Sequence, residues 1–166
     1  MGVKLREATM TITRIVETID ELRALVGTEL GVGPWVEITQ GRVDAFADVT
    51  GDHQFIHVDP ERAAKTPFGG TIAHGYLTLS LLPLLSRDRD GVQVDLKQKM
   101  IVNYGLNRVR FVAPVKVGAR IRLRTTLQAL DEVGPDAYQL TYGQTVEIEG
   151  GERPALVAES LTRAYL

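Results

Sequence analysis

Residues 72–86, IAHGYLTLSLLPLLS, are apolar on almost every face. As a helix this run would need cover on all sides, where an ordinary surface helix needs it along one stripe. At 1.5 Å per residue it would be roughly 22 Å long, shorter than the hydrocarbon core of a bilayer. His74, Pro83 and the hydroxyl side chains also suit lipid poorly. The segment is predicted to be a buried core helix, bent near Pro83, because a proline has no amide to bond back to the Leu79 carbonyl.

What covers such a helix is written in the second half of the chain. From Lys99 onward the pattern changes to period two. In residues 120–130, Ile121, Leu123, Thr125, Leu127 and Ala129 share one side, while Arg120, Arg122, Arg124, Thr126 and Gln128 share the other. Tyr138, Leu140, Tyr142, Val146 and Ile148 repeat the alternation after a Gly134-Pro135-Asp136 turn. Two further strands are predicted at residues 103–112 and 155–165, the latter following the Gly150-Gly151 turn. Long strands with one apolar face need a cover, and an all-apolar helix needs a wrapper. The economical solution is an α+β fold: a curved antiparallel β-sheet wrapped around a long central α-helix, with a helical overhang at its edge. Residues 1–166 are expected to form a single domain, with residues 1–17 a less regular N-terminal segment.

The overhang comes from the first half. Thr18 and Glu21 form a capping box, and Ile19, Leu22, Leu25 and Val26 follow at helical spacing until Gly27. The stretch LGVGPW at residues 30–35 is turn material, and residues 35–38 alternate as a brief strand would. Thr39 caps a second helix with Val43, Phe46, Ala47 and Val49 on one face, and Gly51 stands at its left-handed C-cap. Asp59 and Pro60 open another short helix as cap and first helical residue.

Composition removes several function classes. With 166 residues, 44% of them hydrophobic, the chain buries a core without staples, and with no cysteine it has no disulfide or thiolate chemistry. A net charge of −2 supplies no global field for nucleic acid or an anionic membrane. The N-terminal stretch MGVKLREATMTITRIVETID is charged throughout and lacks a signal-peptide core, so a cytoplasmic location is expected.

All three histidines, His53, His57 and His74, fall between positions 53 and 74, and two of them stand in GDHQFIHVDP at residues 51–60. Imidazole titrates near neutral pH, which makes the cluster a candidate site, against the alternative of chance grouping on a polar loop. Asp52 and His57 would lie about 140° apart on a helix and on opposite faces of a strand. Only an irregular turn brings them together, and Gly51 allows one. His53 and His57 would share a helix face, yet with no further ligands in the pattern no metal site is predicted. His74 reads as a structural histidine at the start of the core helix.

The run FADVTGDHQFIHVDPERA at residues 46–63, followed by AHGYLTLSLLPLL, resembles the MaoC-like family of (R)-specific enoyl-CoA hydratases, which are hotdog-fold proteins. The family motif is DxNPxH with a downstream HG at the start of the hotdog helix. Asp52 and His57 match its two catalytic positions and His74-Gly75 matches the HG, while Gln54 and Phe55 depart from the usual Asn and Pro. The segment NYGLNRVRFVAPVKVG at residues 103–118 also resembles the family, so the likeness spans residues 18–165.

The resemblance implies a hydro-lyase of fatty acid metabolism that adds water reversibly to trans-2-enoyl-CoA to give (R)-3-hydroxyacyl-CoA. Asp52 and His57 would be catalytic, the Gly75 amide would bind the thioester oxygen, and Gln54 would tune the pocket. Ser80 either lines the acyl tunnel or bonds its own helix backbone. The arginines at 108, 110, 120, 122 and 124 either meet coenzyme A phosphates or form a solvated sheet face. The implied substrate carrier is coenzyme A or acyl carrier protein, the implied assembly is a homodimer, and no metal or other cofactor is implied. A hotdog acyl-CoA thioesterase and a noncatalytic acyl-thioester-binding subunit are the competing readings, since fold alone does not separate them.

Overall fold

The structure, a computed structural model, describes residues 11–166, so the N-terminal expectation for residues 1–10 lies outside the described residues. In chain order the elements are β1 (Ile12–Val16), α1 (Ile19–Arg23), β2 (Glu29–Val32), β3 (Val36–Glu37), α2 (Gln40–Thr50), α3 (Phe55–Val58) and α4 (Pro60–Ala63). They continue with α5 (Gly75–Ser80), α6 (Leu82–Leu85), β4 (Asp90–Val94), β5 (Met100–Phe111), β6 (Arg120–Gly134), β7 (Ala137–Ile148) and β8 (Leu156–Tyr165). The strands form one sheet in the order β1-β4-β2-β6-β7-β8-β5, with β3 paired to β6 beside β2. The sheet curves over α5 and α6, and α2 to α4 form the overhang, which is the hotdog arrangement expected.

Local chemistry explains the elements that were anticipated. Thr18 and Glu21 exchange both capping-box bonds at α1. Thr39 accepts from the Arg42 amide at the start of α2, and Gly51 ends that helix at φ 77°. Asp59 accepts from the Arg62 amide ahead of Pro60 in α4. Each cap satisfies an amide or turns the chain in a way its residue type does cheaply.

Several expectations are corrected. The sheet is not wholly antiparallel, because β1 pairs with β4 in parallel. Parallel neighbours need a long crossover, here everything from α1 to α6. The described part of the N-terminal segment is thus a regular edge strand. LGVGPW contains β2, and its glycines serve close approach: a Cβ on Gly31 would strike the Asp90 carbonyl oxygen, and one on Gly33 that of Leu85. Val49 points to solvent at 80% exposure instead of joining the buried face of α2. In β6 a register shift between Leu127 and Ala129 moves the buried position from Ala129 to Leu130.

The central helix also differs from expectation. It begins at Gly75, because the amides of Ile72 and Ala73 are taken by the Ile56 and Val115 carbonyls, and it breaks at Leu81 into two short pieces. Pro83 sits in the first turn of α6, the helical position that tolerates a missing amide. Nor is the helix buried all round: Leu77, Thr78, Leu82 and Leu85 are inside, but Tyr76 is 70% exposed and Ser80 and Pro83 face outward. Pro114 and Gly118 lie outside the strands, and the residues between them pair only through the Ile72–Lys116 bridge.

Two glycine substitutions test this packing. Gly33→Ala should lower unfolding free energy by about 1–3 kcal/mol, since backbone at Leu85 has no room to yield. Gly41→Ala, in α2 with nothing within 4 Å of the new methyl, should raise it by about 0.5–1 kcal/mol. Urea denaturation reads both, and equal effects would contradict the packing described.

Candidate active site

The loop after α2 is shaped by three backbone decisions. Gly51 turns left-handed, residues 51–54 are irregular, and the single turn of α3 follows with Gln54 as its N-cap. The Gln54 carbonyl accepts from the His57 amide at 2.9 Å, while its own amide donates to Asp52 Oδ1 at 3.4 Å. Gln54 therefore acts here through its backbone. Phe55, the other departure from the family motif, packs under the Arg62 guanidinium at 4.3 Å.

This irregular turn brings Asp52 and His57 together, and it brings in His74 as well. A carboxylate oxygen of Asp52 and a ring nitrogen of each histidine all lie within 4.8 Å of one another. His57 Nδ1 lies 2.7 Å from the Ile72 carbonyl oxygen, which only accepts, so Nδ1 carries the proton and Nε2 of the neutral ring presents a lone pair. By the same logic His74 Nε2–H donates to the Asp52 backbone carbonyl at 2.9 Å. The two imidazoles stack at 3.8 Å with planes 25° apart, and Phe46 closes the far side of His74 at 5.1 Å. His57 and His74 are buried, whereas the Asp52 side chain is 55% exposed.

His74 is therefore more than a structural histidine: it holds the backbone of Asp52 and braces the His57 ring. Its Nδ1 is buried without a hydrogen-bond partner among the described residues. Gln40 was not anticipated either. Its Nε2 donates to the His57 carbonyl and to Asp44, each at 2.7 Å, and its Oε1 accepts from Thr71 at 2.6 Å. One side chain thus ties the α3 turn to the strand-like residues ahead of α5. No sequence signal marked it, because an amide at the first turn of a helix looks like an ordinary surface residue.

His53 leaves the site, facing Asp48 at 3.6 Å on the exposed side of the loop. By distance Asp52, His57 and His74 are a possible metal-ligand set. Imidazole lone pairs lie in the ring plane, however, and two stacked rings aim theirs side by side, which is poor geometry for an ion about 2.0–2.1 Å from each nitrogen.

Gly75 opens α5, and a Cβ there would lie 2.9 Å from the Phe111 ring, so close packing demands the glycine. Its amide belongs to the first turn of the helix, where no intrahelical acceptor exists. Ser80, at the other end of α5, donates to the Leu77 carbonyl at 2.9 Å and also lines a cavity of about 580 Å³ between α5, α6 and the concave face of the sheet. Asp52 and His57 do not line that cavity; helix α5 connects the two. Of the arginines, Arg120, Arg122 and Arg124 pair with Glu149, Glu147 and Glu29, the solvated-face reading. Among the described residues Arg108 and Arg110 have no ion-pair partner.

The sequence profile of the MaoC like domain matches residues 21–148. The chain belongs to the MaoC-like dehydratase family. That family consists of hydro-lyases, the enzyme class expected. The chain is 51% identical over 150 residues to 3-hydroxyacyl-thioester dehydratase Z of Mycobacterium tuberculosis, a match covering 90% of this chain and 97% of that one. It is 49% identical over 146 residues to nodulation protein N of Rhizobium leguminosarum bv. viciae, covering 87% and 89% of the two chains. Among solved structures, an (R)-hydratase from A. caviae involved in PHA biosynthesis superposes with a TM-score of 0.64 at 28% identity, over 82% of this chain and 96% of that one.

In this MaoC-like site, burial is the largest influence on His57 and pushes its pKa below the ordinary value. The Ile72 carbonyl opposes the shift, His74 adds to it, and Asp52 opposes it again. The net effect keeps the ring neutral near pH 7. A neutral buried histidine binds protons less readily than the unfolded chain does. Stability should therefore be insensitive to this group above the ordinary value near 6.5 and fall as pH drops below it, until the folded pKa is reached. Urea midpoints at pH 7.5 and 5.5 should show a larger acid loss for the native protein than for His57→Gln. Equal losses would remove His57 as the cause.

Proposed function

We propose that this protein is an (R)-specific enoyl-CoA hydratase, adding water reversibly across the double bond of a trans-2-enoyl thioester to give the (R)-3-hydroxyacyl thioester. The observation that carries the proposal is the approach of the Asp52 carboxylate to the His57 ring within 4.8 Å, with the His57 Nε2 lone pair uncommitted. That gap suits one water molecule held by two acceptors. The similarity to 3-hydroxyacyl-thioester dehydratase Z supports an acyl thioester substrate, and the likeness to the (R)-hydratase supports the stereochemistry.

The chemistry needs a base for water at C3, an acid for C2, and a donor for charge that builds on the thioester oxygen. Asp52 and His57 each accept a hydrogen bond from the water, its oxygen bonds to C3, and the proton it loses returns to C2 through the same pair. Run backward, the pair removes a proton from C2 and protonates the departing hydroxyl. The first-turn amide of Gly75 is assigned to the thioester oxygen, and Ser80 to the wall along which the acyl chain runs. Atoms and protons balance with no metal or redox cofactor. Coenzyme A or acyl carrier protein delivers the substrate, and the reaction is assigned to cytoplasmic fatty acid metabolism. Among the described residues no helix is long and apolar enough to cross a membrane.

A homodimer belongs to the same reading. Strand β5 is a sheet edge whose Met100, Ile101, Val102, Tyr104 and Leu106 are exposed, and Tyr76 of α5 packs edge-on against Phe111 beside it. A long apolar edge invites pairing with a second copy. Sedimentation should give twice 18.3 kDa, and a stable monomer at working concentration would refute the dimer.

Crotonyl-CoA and longer enoyl-CoAs, followed by loss of enoyl absorbance and by free thiol separately, test the activity. Hydration without thiol release is expected; thiol release without enoyl loss would assign a thioesterase instead. Asp52→Asn and His57→Gln should each lower hydration by roughly 10²–10⁴-fold with the fold retained. Near-native rates in either variant would refute the assigned pair.

A further inference from the structure

We propose that the acyl chain accepted by this protein ends in a carboxylate, which the Arg89 guanidinium receives at the polar floor of the cavity beside α5 and α6. The inference rests on the reading of the site as one for acyl thioesters, and it names the tail chemistry.

The floor of the cavity is the first reason. The concave side of the sheet carries two separate apolar clusters, one around Ile121, Leu123 and Val146 and the other around Leu127, Leu130 and Leu140. Between them a polar belt crosses three strands: Thr125 on β6, Gln144 on β7 and Ser160 on β8. Thr125 and Gln144 are buried at positions where strand alternation elsewhere places carbon. Thr125 Oγ1 donates to Gln144 Oε1 at 3.0 Å, and Gln144 Nε2 donates to Ser160 Oγ at 3.4 Å. The second amide hydrogen of Gln144 and the hydroxyl hydrogen of Ser160 have no acceptor among the described hydrogen bonds.

The second reason is Arg89, on the same cavity wall. Its Nε and Nη2 both donate to the Val92 carbonyl, at 3.2 and 2.8 Å, which fixes the plane of the guanidinium and leaves Nη1 uncommitted. Asp88 and Asp90 flank it in sequence, yet no carboxylate among the described residues lies within ion-pair distance. Burial weakens its hold on the proton, and the same desolvation pushes the neighbouring Tyr142 phenol upward. A desolvated cation without a counter-charge is costly, and a ligand anion relieves that cost.

The third reason is placement. Ser80 lines the cavity six positions beyond His74 on the helix that starts at the active site, about 9 Å along its axis. A chain whose thioester lies at Asp52 and His57 and whose tail follows α5 arrives at this floor. A methyl end would press carbon against uncommitted donors, whereas a carboxylate only accepts and offers about four lone-pair sites to them.

Saturated acyl-CoAs matched in length test this without any reaction: hexanoyl against adipoyl, octanoyl against suberoyl, decanoyl against sebacoyl, each titrated by calorimetry. For at least one length the carboxylate-ended ligand should bind about tenfold or more tighter. In Arg89→Gln that ratio should fall to near one, and Ser160→Ala should reduce it independently if the arginine variant does not fold. No preference at any length, or a preference unchanged in both variants, would overturn the proposal. So would 6-hydroxyhexanoyl-CoA and its longer analogues matching the carboxylates. Crotonyl-CoA hydration is read separately, so loss of the hydratase reading and loss of the tail proposal give different results.

Discussion

The hydrogen bond from His57 Nδ1 to the Ile72 carbonyl is the contact on which the site depends. It is buried, it spans two segments 15 positions apart in sequence, and it decides which nitrogen of the imidazole is free. A ring held by a carbonyl on one side keeps its lone pair on the other, as a base must. The same bond anchors the single turn of α3 against the extended residues ahead of α5, so loop geometry and tautomer are set together. His74 completes the arrangement from its place as the residue just ahead of α5, stacking on His57 and bonding the backbone of Asp52. Gln40 holds the other end of the α3 turn.

This division of labour explains why a half-exposed carboxylate works beside a buried histidine. Asp52 reaches solvent, from which the reacting water comes, while its main chain is pinned by His74. His57 is desolvated, which favours its neutral form, and the braces around it remove rotational freedom before substrate arrives. Such preorganisation is where folded proteins gain over flexible acid-base pairs in water.

The sheet separates two tasks by face. Outside, Arg122 and Arg124 share Glu147, and Arg122 also lies 4.4 Å over the Trp35 ring, an exposed lattice of charge that contributes modestly to stability. Inside, the apolar clusters build the core and the belt of Thr125, Gln144 and Ser160 interrupts it. A buried polar belt is tolerated because its members bond one another, and it leaves spare donors facing a cavity.

Much of this was legible before any tertiary contact was known. Capping chemistry at Thr18, Thr39, Gly51 and Asp59 marked helix ends, because caps are satisfied by neighbours in sequence. Period-two alternation in β6 and β7 marked the sheet and its wet side, and the run after Ile72 required a wrapper. The spacing of Asp52 and His57 already demanded an irregular turn. Long-range contacts decided the rest. The parallel pairing of β1 with β4, the strand identity of β2, the phase change after Leu127 and the late start of α5 all follow from partners far along the chain. So do the bracing roles of His74 and Gln40 and the isolation of Arg89. A sequence displays the needs of each local segment, but which distant groups meet those needs is settled only when the sheet closes over its helix.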